Sequence, residues 1–282
     1  MDMRNAIANI ERLCETNNPR TAEDWTDEEG FLMCGNCNTR KQTEVELFGE
    51  IKRPFCLCEC QEKRRDAEEA ARKREERERR ISYMRRLAFP REEREKMQQW
   101  TFENDDMQNK RITQAMQNYV DNFSDLKKKG KGLLLYGTTG TGKTYAACEV
   151  INALLDMGYS AVATNFSRIL NALQETFEKQ EYIDRLNQCD LLLIDDLGIE
   201  RNTAYAKEQV YNIIDSRYRA GLPMIITTNL SIDKIKNPED IENMRIYDRI
   251  LERCFPLEVT GGNRRRQAIR DEYAEMKNLL GL

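Results

Sequence analysis

Gly132-Leu133-Leu134-Leu135-Tyr136-Gly137-Thr138-Thr139-Gly140-Thr141-Gly142-Lys143-Thr144 couples a short apolar run to a glycine-rich turn and a lysine. The apolar pentapeptide has the pattern of a strand buried on both faces. The eight residues from Gly137 to Thr144 fit G-x-x-x-x-G-K-[ST]. Glycines let such a backbone curl until successive N–H groups converge on phosphate oxygens, and a following helix adds its positive N-terminal end. Gly137, Thr138, Thr139, Gly140, Thr141 and Gly142 would then form the cradle. Lys143 would reach the β- and γ-phosphates of a nucleotide, and Thr144 would hold Mg2+ through its hydroxyl. Helical spacing runs from Thr144 to Met157, with Gly158 as a stop.

Outward from this stretch, short apolar segments alternate with helical ones. Further strands are expected at Ser160–Thr164, Leu191–Ile194, Met224–Thr228 and near Leu257–Val259. That alternation implies an α/β fold, a parallel sheet with helices on both faces. Leu191-Leu192-Leu193-Ile194-Asp195-Asp196 ends an apolar strand in paired carboxylates. Asp195 is placed to hold Mg2+ beside the phosphate loop, and Asp196 to polarise the attacking water. Met224-Ile225-Ile226-Thr227-Thr228-Asn229 ends another strand at the same sheet edge, where Asn229 can bond the γ-phosphate or its water. No Asn-Lys-x-Asp base-reading motif occurs, which argues against a GTPase.

Composition narrows the remaining classes. The 282 residues carry a formal charge of −4, with 33% charged residues, so contact with nucleic acid must come from local patches. Histidine is absent, which excludes Ser-His-Asp and Cys-His catalytic pairs and mixed Cys/His metal sites. No run of apolar residues is long enough for a transmembrane helix. Met1-Asp2-Met3-Arg4 leads into a polar segment rather than a signal peptide, so a cytoplasmic protein is expected, in a bacterial or phage-infected cell. Three regions stand out: a polar, cysteine-clustered stretch over residues 1–62, a charged helical linker over 63–99, and the strand–helix domain over 100–282. In the linker, glutamates and arginines recur three and four apart, as in a solvated helix held by side-chain pairs.

The order of Gly137–Thr144, Asp195-Asp196-Leu197-Gly198-Ile199-Glu200, Asp215-Ser216-Arg217-Tyr218 and Thr227-Thr228-Asn229-Leu230 resembles the DnaC/DnaI-type replicative helicase loaders. It is also similar to the related IstB-type transposition helper ATPases. The resemblance covers about residues 100–266. It implies an AAA+ P-loop NTPase with a five-stranded parallel sheet and no full C-terminal lid. It further implies ATP hydrolysis at subunit interfaces, a DnaB-type helicase partner, single-stranded DNA, and self-association through the ATP site. Arg249, within Arg245-Ile246-Tyr247-Asp248-Arg249-Ile250, resembles the trans-acting arginine finger, with Arg245 and Arg253 as alternatives. Arg265, in Gly261-Gly262-Asn263-Arg264-Arg265-Arg266, resembles the late nucleotide-sensing arginine, although an arginine precedes it where the family carries an aromatic residue. Single-stranded DNA is expected near Ser167, Arg168 and Lys179.

Nine cysteines are present, five of them between residues 34 and 60. Cys34-Gly35-Asn36-Cys37 is a knuckle that presents two thiolates to one metal, and Cys56, Cys58 and Cys60 compete for the returning pair. The Cys-x-Cys ending of similar loaders selects Cys34, Cys37, Cys58 and Cys60 for zinc, with Cys56 as the alternative. By the same resemblance this N-terminal region binds the helicase. It also favours the loader over the transposition helper, whose N-terminus is usually a short helical extension. Cys14 belongs to the same region. Cys148, Cys189 and Cys254 read as core residues.

Overall fold

A computed structural model describes residues 20–47, 49–198 and 203–280; Cys14, Ile199 and Glu200 lie outside them. The chain divides into two compact units, Met1–Glu78 and Arg79–Leu282.

In the first unit, β1 (Trp25–Thr26) pairs antiparallel with β2 (Leu32–Met33), and β3 (Val45–Leu47) with β4 (Glu50–Lys52). The described core here is small, with Phe31 and Leu32 buried. Two guanidiniums lie over the Phe31 ring, Arg40 at 4.0 Å and Arg53 at 4.2 Å from its centre. A unit with so little apolar interior needs a further staple. Helix α1 (Glu59–Ala88) follows and runs for 30 residues. Its i,i+4 pairs Lys63–Glu59 at 2.6 Å and Lys73–Glu69 at 2.7 Å fit the sequence expectation of a solvated charged helix.

The second unit is built on a five-stranded parallel sheet in the order β6-β7-β8-β5-β9. These strands are β5 (Gly132–Tyr136), β6 (Ala161–Asn165), β7 (Leu191–Leu197), β8 (Met224–Thr228) and β9 (Cys254–Glu258). Successive side chains point to opposite faces, so an all-apolar strand feeds two cores. Leu133, Leu135, Leu191 and Leu193 face one cluster. It holds α2 (Arg94–Gln98), α3 (Lys110–Asp121), α4 (Phe123–Lys128) and α5 (Lys143–Asp156) through Met97, Met116, Phe123 and Leu154. Leu134, Leu192 and Ile194 face the other. There α6 (Phe166–Glu175), α7 (Lys179–Leu186), α8 (Ala204–Arg219), α9 (Ile232–Lys236) and α10 (Ile241–Arg253) supply Phe166, Ile183, Ile213, Ile235 and Ile250. A single helix, α11 (Arg264–Leu280), follows β9.

Two differences from the sequence expectations have local causes. The last strand begins at Cys254, three residues earlier than expected, because its pairing with β5 runs from Gly132↔Cys254 to Tyr136↔Glu258. It lies at the sheet edge with Phe255 exposed, so the continuous apolar signal of a central strand is missing. Within the charged segment before residue 100, Ala88, Phe89 and Met97 are buried in the first core cluster.

Candidate functional site

The phosphate loop leaves β5 at Tyr136 and ends where α5 begins at Lys143. Gly140 and Gly142 adopt φ of +85° and +96°, a region L side chains rarely enter. A Cβ at Gly140 would also fall 2.3 Å from the Asn263 side chain, so the loop and the segment leading into α11 meet only because this residue is glycine. The Arg264 N–H donates to the Gly140 carbonyl at 3.0 Å across that contact. Thr141 Oγ1 closes the turn on the Thr138 carbonyl at 3.0 Å.

Lys143 is 6% exposed. Its Nζ donates to the carbonyls of Gly137 and Thr138 and to Asn229 Oδ1, each at 2.8 Å. Burial draws its pKa down, and the charges of Asp196 and Asp195 oppose that shift. Thr144 Oγ1 donates to the Asp195 carboxylate at 2.9 Å. Burial raises the Asp195 pKa, against hydrogen bonds from Thr227 and Thr144. The pairing of β7 with β8 shifts register between Ile194 and Leu197, and Asp196 takes φ +59° there. Asp tolerates that left-handed conformation better than most residues.

A cavity of about 460 Å3 opens over the loop, lined among others by Gly140, Lys143, Thr144, Asp196, Asn229 and Arg265. Its size suits a nucleotide-sized ligand. The donor set suits a polyphosphate with a hard cation: one lysine, loop N–H groups at a helix start, and a hydroxyl beside a carboxylate. Arg264 lines the same cavity and pairs with Asp106 at 3.1 Å, so two arginines of α11 reach the site. Lys96 and Trp100, which no motif singled out, line it as well. Asn152 Nδ2, buried on α5, holds the Trp100 carbonyl at 2.8 Å.

Arg249 does not line this cavity. Its Nε donates to Asp215 at 2.6 Å and an Nη donates to Tyr211 Oη at 2.8 Å, both on α8. Of its alternatives, Arg245 is exposed on the same helix, and Arg253 donates to the Tyr218 carbonyl at 3.2 Å. Arg217, part of the Asp-Ser-Arg-Tyr motif, is fully buried. Its guanidinium binds the carbonyls of Leu186, Cys189, Asp190 and Pro223, so it ties the start of β7 to the start of β8. The Arg168 guanidinium is committed to Glu92 at 2.8 Å and Glu93 at 3.2 Å, whereas Lys179 lies 5.1 Å from the Tyr205 ring. Next to Lys179, Phe177 is fully exposed between α6 and α7, a residue that sequence reasoning passed over. A lone aromatic between polar neighbours carries no periodic signal.

In the first unit the sulfurs of Cys34, Cys37, Cys58 and Cys60 all lie within 4.8 Å of one another. Cys34 to Cys60 is 3.7 Å and Cys58 to Cys60 is 3.3 Å. Tetrahedral zinc with bonds of about 2.3 Å separates its sulfurs by about 3.8 Å, so the cluster has the dimensions of such a site. Cys56 points elsewhere, its sulfur 3.9 Å from the Arg40 carbonyl. The knuckle is braced by Asp24, which accepts from the Gly35 N–H at 3.2 Å and from the buried Lys41 ammonium at 2.7 Å. Burial alone would raise the Asp24 carboxyl, but Lys41 and the N–H groups of Thr21 and Gly35 hold it far below the usual range. No helix among the described residues is long and apolar enough to cross a membrane.

Comparison with known proteins places this geometry. The replicative helicase loader DnaI of Bacillus subtilis is 29% identical over 150 residues, covering 49% of this chain and 48% of that protein. The replicative helicase loader DnaC of Escherichia coli is 28% identical over 119 residues, covering 40% and 47%. The chain thus matches about half the length of these curated relatives. A crystal structure of DnaI superposes with a TM-score of 0.53 at 24% identity, covering 63% of this chain and 96% of that one, and shares the AAA+ fold. The model of the IstB-like ATP binding protein family matches residues 62–271, and the chain belongs to that family.

Proposed function

We propose that this chain is an ATP-dependent loader that places a DnaB-type replicative helicase on single-stranded DNA. The observation that carries the reading is one assembly of three strand ends. The loop after β5 brings Lys143 and Thr144, β7 brings Asp195 and Asp196, and β8 brings Asn229: Lys143 bonds Asn229, Thr144 bonds Asp195, and Asp196 lines the same cavity as Lys143, Thr144 and Asn229. Lys143 and the loop N–H groups bind and orient the β- and γ-phosphates of ATP. Thr144 and Asp195 would hold Mg2+, which neutralises charge on the phosphoryl oxygens when bound. Asp196 accepts a hydrogen bond from the attacking water and draws off its proton. Asn229, already bonded to Lys143, distinguishes a γ-phosphate from its absence. Arg265 adds positive charge from α11. Arg249, supplied by a neighbouring copy, stabilises charge on the transferred group.

Residues 1–62 act as the helicase-binding module, with zinc on Cys34, Cys37, Cys58 and Cys60 as the staple that its small core requires. Residues 63–99 form the connecting segment and 100–282 the ATPase. Single-stranded DNA runs past Phe177, whose exposed ring offers a stacking platform, with Lys179 alongside. The thiol cluster and the loaders among the relatives support this reading over a transposition helper, which shares the same nucleotide machinery.

The test is native mass spectrometry of the full chain mixed with a DnaB-type helicase, in ATP and in ADP. A complex that depends on nucleotide and is lost on deleting residues 1–62 is the expected result. No complex in either nucleotide sinks the loader reading in favour of the transposition helper.

A further inference from the structure

Thr227 sits on β8 opposite Leu135 of β5, directly after the apolar pairs Leu133↔Ile225 and Leu134↔Ile226, and is fully buried. Valine has nearly the same shape and would avoid burying a hydroxyl. The hydroxyl is used twice. Its proton goes to Asp195 Oδ1 at 2.5 Å, and its lone pair takes the Asp196 N–H at 3.0 Å. The neighbouring Thr228, also fully buried, donates to the Leu197 carbonyl at 2.7 Å. The two hydroxyls therefore bracket the irregularity in β7 at which Asp196 turns to φ +59°.

We infer that Thr227 is a positioning residue for the nucleotide site, aiming the Asp195 carboxylate and holding the Asp196 backbone in its left-handed turn. The inference rests on the reading above, in which Asp195 holds the metal and Asp196 addresses the water. Thr144 Oγ1 lies 2.9 and 3.2 Å from the two Asp195 oxygens, a single hydroxyl with one proton to share between them. Thr227 gives the Asp195 Oδ1 a second donor, on β8, and so fixes the carboxylate from two elements. Partners of this kind, one bond removed from a metal, typically change its affinity by about 10–100-fold when deleted. The same hydroxyl supplies the Asp196 N–H with an acceptor that the shifted ladder no longer provides.

The test compares Thr227→Val, Thr227→Ser and Thr227→Ala with wild type in the full chain. A fluorescent ATP analogue is bound at equilibrium across a Mg2+ titration and in EDTA, and turnover is read in parallel. Thr227→Val is expected to need about tenfold more Mg2+ for half-maximal binding, with its affinity in EDTA unchanged, and Thr227→Ser to restore the wild-type value. If Thr227→Val does not fold, the Ser and Ala variants carry the comparison: Ser must match wild type and Ala must not. Equal Mg2+ dependence in wild type and Thr227→Val, or an equal defect in Ser and Ala, overturns the assignment. A wild-type chain whose nucleotide binding ignores Mg2+ overturns the parent reading and this one together.

Discussion

The Thr144 hydroxyl and the Asp195 carboxylate meet at 2.9 Å although 51 positions separate them in the chain. The contact exists because α5 starts at the end of β5 while β7, two places away in the sheet, ends level with it. Parallel strands bring all their C-terminal ends to one edge, and ligands of such folds bind in the crevice there.

Asp196 carries the carboxylate of the proposed water-activating role on a backbone at φ +59°. Asp196→Asn keeps a residue that tolerates φ +59° but removes the carboxylate. Nucleotide binding and melting temperature should stay near wild type while ATP turnover falls about 100-fold. Asp196→Ala should lose turnover and also about 1 kcal/mol of stability, because alanine is strained at that φ. Steady-state turnover and thermal melts check both; unchanged turnover in the Asn variant would remove Asp196 from its role.

Zinc content distinguishes the thiols. Elemental analysis of protein purified without chelators should give about one zinc per chain. Cys56→Ser should keep it, since that sulfur lies outside the cluster, whereas Cys58→Ser should lose it. Metal lost from both variants, or from neither, would contradict the ligand set.

Glu149 on α5 is 2% exposed, and its Oε1 has no hydrogen-bond partner among the described groups. Burial, reinforced by the charge of Asp105, pushes its pKa up to about 8. An acid whose folded pKa lies above its unfolded value of 4.5 binds its proton more tightly when folded. Wild type should therefore lose stability as pH rises from about 5 to about 8. Glu149→Gln should gain on wild type across that window and match it most closely at the acid end. Melting curves of the two proteins at pH 5, 6.5 and 8 decide this; parallel pH profiles would rule it out.

Phe177 contributes nothing to the core, so Phe177→Ala should leave the melting temperature unchanged. Loss of one stacked base should weaken single-stranded DNA binding by about tenfold. Fluorescence anisotropy with a labelled oligonucleotide measures it, and undiminished affinity would move the DNA path elsewhere.

The phosphate loop was legible in the chain because its chemistry is local. Glycines at positions needing positive φ, a lysine and a threonine lie within eight residues, and an apolar run and a helical pattern flank them. The acidic strand end and Asn229 were legible for a related reason, since each closes an apolar run of strand length. Which cysteines gather was open on spacing alone. The fold decides it by turning Cys56 toward the Arg40 carbonyl and bringing Cys58 and Cys60 to the knuckle. Arg168 reads as a free cation until Glu92 and Glu93, more than 70 positions earlier, close on it. Thr227 reads as an ordinary strand residue, because nothing within β8 announces that the neighbouring strand slips out of register beside it. Local sequence sets φ, helix starts and apolar periodicity through contacts a few residues long. The register between strands, and every hydrogen bond that depends on it, is chosen only when distant segments pack.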